Sequence, residues 1–388
     1  MLTVLITLSV GFLFLALHPF VTYPLSLKFI GYLRRFRPIA SYSSRGPTEA
    51  ETVRFALCMC AYNEEKVIER KMRNLVTLLE REPGTEILVY VDAATDGTAR
   101  LIQPYADRIK LYVSNERRGK THGMNLLVQQ ATAPVVVFTD ANVMLDEHAL
   151  QNLRPYFARP EIGCVCGNLV YVNDADSVTA ASGSVYWKFE QSIKKLEETT
   201  GSVMGADGSL FAIRRSLHCA PPEDLIDDMY VSLMILCQGH RVVQADDVKA
   251  YELSVTSSKE EFFRKVRIAC QAFNVHRQLW PRIKKLDALT IYKYLSHKFI
   301  RWFTIYSLVM SLIFLLAAVL IADAPLLAFV LLATVIVCGV LGYWFAIKPF
   351  NQIMDLVIAL GGTGIGVWQS VRGKRYQTWT PAASIRKA

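Results

Sequence analysis

Residues 55–98 read FALCMCAYNEEKVIERKMRNLVTLLEREPGTEILVYVDAATDGT, and this stretch decides the fold. It opens on a short apolar run, Phe55–Cys60, and closes on a second one, Glu86–Val91. Between them, in Glu64–Leu79, the residues Val67, Met72, Leu75, Val76 and Leu79 recur at helical spacing with charges elsewhere. The segment therefore reads as an amphipathic helix between two strands. The alternation continues outward with Ile109–Val113 as strand, a helix from about Lys120 to Gln130, and Val135–Thr139 as strand. Strand and helix in this order predict an α/β fold with a doubly wound, mostly parallel sheet. Ligands of such sheets bind beyond the carboxyl ends of the strands, which is where this chain keeps its polar motifs.

The first strand ends in Ala61-Tyr62-Asn63-Glu64-Glu65 and the second in Asp92-Ala-Ala-Thr-Asp96-Gly97-Thr98. Arg117-Arg118-Gly119-Lys120, Asn125 and Thr139-Asp140-Ala141-Asn142 follow. Then come Gly205-Ala-Asp207-Gly208, Asp227-Asp228 and Arg264-Lys-Val-Arg267. A carboxylate just past a strand end, such as Asp92, can bind a base edge or ribose hydroxyls. Asp96-Gly97 is equally a tight turn. Lys120 follows a glycine at a helix start, a placement that suits a diphosphate through charge and exposed amides, with a solvated surface lysine as the plain alternative. Asp140 ends a strand of five apolar or near-apolar residues, where an acid is costly unless something binds it. Asp227-Asp228 opens a helix, Met229–Gly239, so either residue could simply cap it.

Taken in this order, the motifs resemble those of membrane-bound family 2 glycosyltransferases with the GT-A fold, over roughly residues 53–280. The resemblance implies an inverting transfer of sugar from a nucleotide-diphosphate sugar, expected to be a UDP-sugar, to an acceptor hydroxyl. It implies donor binding by Ala61, Tyr62, Glu64, Asp92, Lys120, Asp140 and Asn142, with Tyr62 stacking on the base. It gives Asp228 the role of general base, and places Asp207, Asp227, Arg264 and Arg267 on the acceptor or diphosphate side, with Glu252 ranked beside Asp207. The family's Asp-x-Asp binds Mg²⁺ or Mn²⁺. Here the pair is Asp140 and Asn142, and an amide oxygen still coordinates a hard cation but adds no charge. The cellulose, chitin and hyaluronan synthases carry Gln-x-x-Arg-Trp after the base. This chain has Arg264-Lys-Val-Arg267-Ile268 there, without the Gln and Trp.

The flanks are apolar. Residues 1–27 carry no charge and read as one spanning anchor (1–30), followed by Lys28, Arg34, Arg35 and Arg37, which hold the main domain in the cytosol by the positive-inside rule. Residues 31–52, above all 38–52, read as a linker. Residues 53–280 form the catalytic domain and 281–302 an interfacial segment. Within 303–347, the uncharged runs 303–322 and 324–347 make a transmembrane hairpin broken at Asp323 and Pro325. Residues 348–388 hold a glycine-rich apolar run, 356–371, which is either interfacial or a further span, and a basic tail. His297-Lys298-Phe-Ile-Arg301-Trp302 reads as an interfacial belt of aromatic and basic side chains.

The net charge of +9 suits anionic lipid or a phosphorylated substrate, and no nucleic-acid recognition motif is present. The eight cysteines include Cys58/Cys60 and Cys164/Cys166, which alternate within strands and so point to one face as small buried hydrophobes, not as a zinc site. The expected function is addition of one or a few sugars to a lipid-linked or glycan acceptor in polysaccharide or glycolipid synthesis, with export or polymerisation partners possible. The alternatives are a processive synthase that exports its polymer, and a non-catalytic scaffold on a transferase fold.

Overall fold

The computed structural model describes residues 1–36, 53–173, 177–345, 347–382, 384 and 386. Arg37 and the 38–52 linker lie outside them. Helices α1 (Leu2–Leu17) and α2 (Thr22–Phe36) precede the sheet. The eight strands are β1 (Phe55–Ala61), β2 (Glu86–Asp92), β3 (Lys110–Ser114), β4 (Val135–Asp140), β5 (Met144–Leu145), β6 (Ile162–Tyr171), β7 (Leu210–Arg214) and β8 (Arg241–Glu252). They lie in the order β3-β2-β1-β4-β7-β6-β8-β5. The half from β3 to β4 is parallel, while β7 runs antiparallel to both β4 and β6. The chain turns from β1 outward to β2 and β3, then returns to place β4 on the other side of β1. That reversal opens a crevice at the carboxyl ends of β1 and β4.

The helices of this unit are α3 (Ile68–Arg81), α4 (Thr98–Ile102), α5 (Lys120–Gln130), α6 (Ala149–Phe157), α7 (Val178–Thr199), α8 (Asp227–Cys237) and α9 (Ser258–Ile283). β1 is buried at every position because helices cover both sheet faces, which is why it reads as an unbroken apolar run. One face packs Leu57, Met59 and Val89 against Ile68, Met72, Leu75 and Leu78 of α3. The other packs Cys58, Cys60, Cys164 and Cys166 with Met124, Phe138 and Phe211, so the four cysteines share a face as their spacing predicts. α5 lies so close to the sheet that a Cβ on Gly123 would stand 2.3 Å from Tyr90 Cδ1 and 2.6 Å from Cys60 Sγ. α3 starts at Ile68 instead of Glu64, because residues 64–67 form a turn that buries Glu64.

After α9 come α10 (Ala288–Tyr294), a π-helical turn (Leu295–Phe299), α11 (Ile300–Trp302), α12 (Thr304–Ile321), α13 (Pro325–Tyr343) and α14 (Phe350–Val371). Among the described residues, α12, α13 and α14 are the helices long and apolar enough to cross a membrane unbroken. The expected N-terminal anchor is built from two helices bent by 63° at a short break, which are long and apolar enough to cross a membrane only when taken together. The break holds Pro19, which has no N–H to continue the ladder, and Pro24 sits in the first turn of α2, where that lack is harmless. α1 lies along α12, joined by reciprocal bonds between Ser9 and Ser311 (hydroxyl to carbonyl, 2.9 Å each way). α14 packs on α9 through small residues: a Cβ on Gly366 would lie 2.4 Å from Val266 O. The 281–302 segment is a second departure from expectation, since Lys293, Tyr294, Ser296, His297 and Trp302 are buried in the protein.

Candidate active site

The β1 and β2 ends are fastened to each other before they meet anything else. Asn63 adopts φ +51°, which asparagine tolerates, and its Oδ1 accepts the Thr95 amide at 2.8 Å. Asp96 accepts from the Thr98 amide (3.0 Å) and the Glu65 amide (3.1 Å), so it builds the turn its Asp-Gly sequence suggested. Ala61 is fully buried in the apolar core.

Asp92, fully buried, clamps the loop before α5. Its Oδ1 accepts Arg118 N (2.8 Å) and its Oδ2 accepts Gly119 N (2.9 Å) and Arg117 Nε (3.0 Å). Most of its acceptor capacity is thus used inside the protein. The guanidinium of Arg117 stacks on Tyr62 with Cζ 3.0 Å from the ring centroid. Arg117 also donates to the Trp379 carbonyl, and the Trp379 ring stands edge-on to Tyr62 at 6.0 Å. Trp379 belongs to the segment after α14, read from sequence as a basic tail. That segment crosses the site: Gln377 Nε2 donates to Arg118 O (3.2 Å), and Arg386 forms a two-armed bond at 2.5 Å with the buried carboxylate of Glu64. Gly119, at φ +94°, admits this approach, for a Cβ there would lie 2.2 Å from Gln377 O.

Beyond the β4 end the charges converge. Lys120 Nζ stands 2.7 Å from Asp140 Oδ1 and 3.9 Å from Asp227 Oδ2. Burial alone would lower the lysine pKa, but Asp140, Asp227 and Asp228 outweigh it and raise it. Asp228 lies in the first turn of α8, where its Oδ1 accepts Met229 N at 2.5 Å. Burial first, then Asp227, pushes its carboxyl up to about 7, against the opposing pull of Lys120. Gly208 lies against both groups: a Cβ there would be 3.1 Å from Lys120 Nζ and 3.2 Å from Asp228 Oδ2. Asp227 Oδ2 is buried with no hydrogen-bond partner.

Asn142 donates its amide NH₂ to Glu252 Oε1 at 2.8 Å, and its carbonyl oxygen, two residues from Asp140, has no hydrogen bond among the described residues. Burial, then Asp140, raises Glu252 to about 7, while Arg264 and Asn142 oppose the shift. Behind this turn Lys71, fully buried, donates to Thr139 Oγ1 (3.0 Å) and to the Val143 carbonyl, fixing the residues that carry Asp140 and Asn142. Asp207 pairs with Lys194 at 3.0 Å. Arg264 is committed to Glu261 through two bonds (2.7 and 3.1 Å), whereas Arg267 bonds only the neutral Gln271 (3.1 Å) and has no ion pair among the described residues. Asn125 fastens the loop before Asp227 by donating to Pro221 O (2.9 Å).

The site thus brings together Tyr62, Asp92, Lys120, Asp140, Asn142, Asp227 and Asp228, while Arg264 is held by its own helix. Arg117, Lys71 and the tail residues Gln377, Trp379 and Arg386 were not singled out as site residues. Arg117 was legible as a cation beside Lys120; the tail carried no comparable signal. Among the described residues no cluster of three or more His, Cys, Asp or Glu could hold a metal. The side-chain oxygens here that could take a cation are the Asp140 carboxylate and the Asn142 amide, a hard pair of the kind Mg²⁺ or Mn²⁺ accepts.

A half-parallel sheet with a lysine and carboxylates converging at the β4 end is a GT-A-like fold. The chain shares it with the mannosyltransferase PcManGT from Pyrobaculum calidifontis, solved with GDP-Man and Mn²⁺ (TM-score 0.70, 21% identity, 95% of this chain and 99% of that one). Residues 56–219 match the family model for Glycosyl transferase family 2, and the chain carries a domain of that family. Poly-beta-1,6-N-acetyl-D-glucosamine synthase of Staphylococcus aureus (strain COL) is 25% identical over 201 residues, 50% of this chain and 48% of that protein. The synthase of the same name from Staphylococcus epidermidis is 23% identical over 171 residues, 43% of this chain and 40% of that one. The chain spans about half the length of the curated relatives it matches.

Proposed function

We propose that this chain is an inverting glycosyltransferase that moves a sugar from a nucleotide-diphosphate sugar to a hydroxyl of a lipid-linked or glycan acceptor at a membrane. The observation that carries the reading is the single focus formed by Lys120, Asp140 and Asp228. A carboxyl raised to about 7 is matched to proton transfer near neutral pH. Asp228 takes the proton of the acceptor hydroxyl as that oxygen attacks the anomeric carbon on the face opposite the nucleotide. The diphosphate leaves toward Lys120, whose ammonium meets the charge as it develops. Asp140 and the Asn142 amide oxygen would hold Mg²⁺ or Mn²⁺, which when bound supplies Lewis-acid charge at the diphosphate. Tyr62 offers a stacking face to the base, UDP being the expected nucleotide, and Arg117 gives up that face when the base enters. Arg267, lacking an ion pair, turns its charge to the phosphates, and Asp207 with Lys194 floors the acceptor side.

Helices α1, α12 and α13 are the proposed membrane elements, with α2 flanking them. Lys28 and Arg34 on one side and Lys348 on the other support a cytosolic catalytic domain by the positive-inside rule. A second reading, processive synthesis of a polymer, is supported by the similarity to poly-N-acetylglucosamine synthases.

The test is release of nucleoside diphosphate by the full chain in nanodiscs, across a panel of nucleotide sugars with Mg²⁺ or Mn²⁺. Release from one donor, lost with Asp228→Asn, supports the assignment, and product length separates single transfer from polymerisation. Binding of no nucleotide sugar would overturn it and favour a scaffold.

A further inference from the structure

His297 is fully buried in the π-helical turn ahead of α12, a kind of helix distortion frequent at functional sites. Each ring nitrogen faces a carboxylate of α7: Nδ1 lies 2.7 Å from Glu197 Oε1 and Nε2 lies 2.8 Å from Glu190 Oε1. From the other end of the chain, Tyr23 of α2 donates its hydroxyl to the same Glu197 Oε1 at 2.5 Å. The second oxygen of Glu197 accepts the Met204 amide at 3.0 Å.

Met204 is the last residue before Gly205–Gly208, the segment that lies against Lys120 and Asp228. The far side of that segment is also tied. Ala206 N donates to Ser232 Oγ (3.0 Å), and Ser232 Oγ donates to the Asp228 carbonyl (2.6 Å). Gly205 sits at φ +111°, so its backbone is not held there by steric preference and depends on such outside bonds. Glu197, itself fully buried, therefore joins both membrane-flanking segments to the floor of the site.

We propose that Glu197 and His297 are positioning residues, which register the segments flanking the apolar helices on the Gly205–Gly208 floor and thereby aim Asp228 at the acceptor. The proposal rests on the reading of Asp228 as the base. Neither residue touches the substrate. Burial would raise the carboxyls of Glu190 and Glu197, but the pull of the groups beside them, His297 first and then Arg301 and Lys298 at Glu190, holds both below the ordinary range. Misplacing a base by about 1 Å from a distance is enough to lower turnover on the order of 100-fold.

The test uses the full chain in nanodiscs with Glu197→Gln, Glu197→Ala, His297→Gln and Tyr23→Phe. We expect kcat to fall about 10- to 100-fold in Glu197→Ala, while donor KM and nucleotide affinity stay within about twofold. Glu197→Gln keeps an oxygen for Met204 N and restores part of the loss. His297→Gln and Tyr23→Phe each remove one tie and give smaller losses of the same kind in a folded protein. Amides of residues 204–208 exchange at least about tenfold faster in the variants, with β1 and β2 unchanged. Wild-type kcat and wild-type exchange in folded variants would overturn the proposal, as would kcat and donor affinity falling in parallel. Exchange needs no turnover, so a chain that transfers no sugar would refute the base assignment while exchange still judges the brace.

Discussion

The ammonium of Lys120 stands 2.7 Å from the carboxylate of Asp140, with Asp227 3.9 Å away and Asp228 adding its own attraction. One cation therefore serves three acids in the site proposed to receive a diphosphate. Lys120→Met would leave those acids facing the incoming phosphates unopposed. Loss of such a preorganised charge is expected to lower kcat/KM about 10²- to 10³-fold. Initial rates of nucleoside diphosphate release check this, and unchanged rates would remove Lys120 from the mechanism.

Asp227 is the charged neighbour that helps hold the Asp228 carboxyl up at about 7. With its carboxyl raised, the proposed base is expected to be protonated, and idle, on the acid side of neutrality, so kcat should climb with pH through that region. Asp227→Asn removes a negative neighbour. The acid limb of the kcat profile is then expected to move to lower pH, and a limb that stays put or moves upward would show that another group controls it.

Arg386 neutralises Glu64, which is 3% exposed. Arg386→Ala leaves that carboxylate buried and unpaired, and the tail is the element free to give way. Opening by about 1–2 kcal/mol corresponds to a 5- to 30-fold gain in the open population. Limited trypsin digestion at Lys374 and Arg375 should accelerate by that factor. Unchanged cleavage would mean that other contacts hold the tail.

Gly123→Ala places a methyl group within 2.3 Å of Tyr90 Cδ1. Overpacking of this kind costs about 1–3 kcal/mol, so the thermal midpoint should drop by several degrees. An unchanged midpoint would show that α5 can move off the sheet without loss.

The strand ends and Lys120 were legible in the sequence because each is local. A buried parallel strand must be apolar along its length, so the polar residue that ends it marks the crevice, as Asp92 and Asp140 do. The tail was not legible, since Trp379 meets Arg117 and Arg386 meets Glu64 across some 260 to 320 positions with no periodic pattern. His297 failed for another reason: a basic and aromatic string ahead of an apolar run suits an interface as well as a core. Only the packing of α7 shows which side it takes. Asp92 was legible as a site residue, yet its bonds to residues 117–119 depend on a loop whose conformation no spacing rule specifies. The N-terminal break was written in Pro19 and Pro24, but the lack of charge up to Lys28 masks it.

Because Arg386 is bonded to Glu64, any polypeptide that continues past it begins beside the β1 end of the crevice. A purification tag or fluorescent reporter joined there would act as bulk at the entrance, and an immobilised carboxyl terminus would tether the catalytic crevice toward the support.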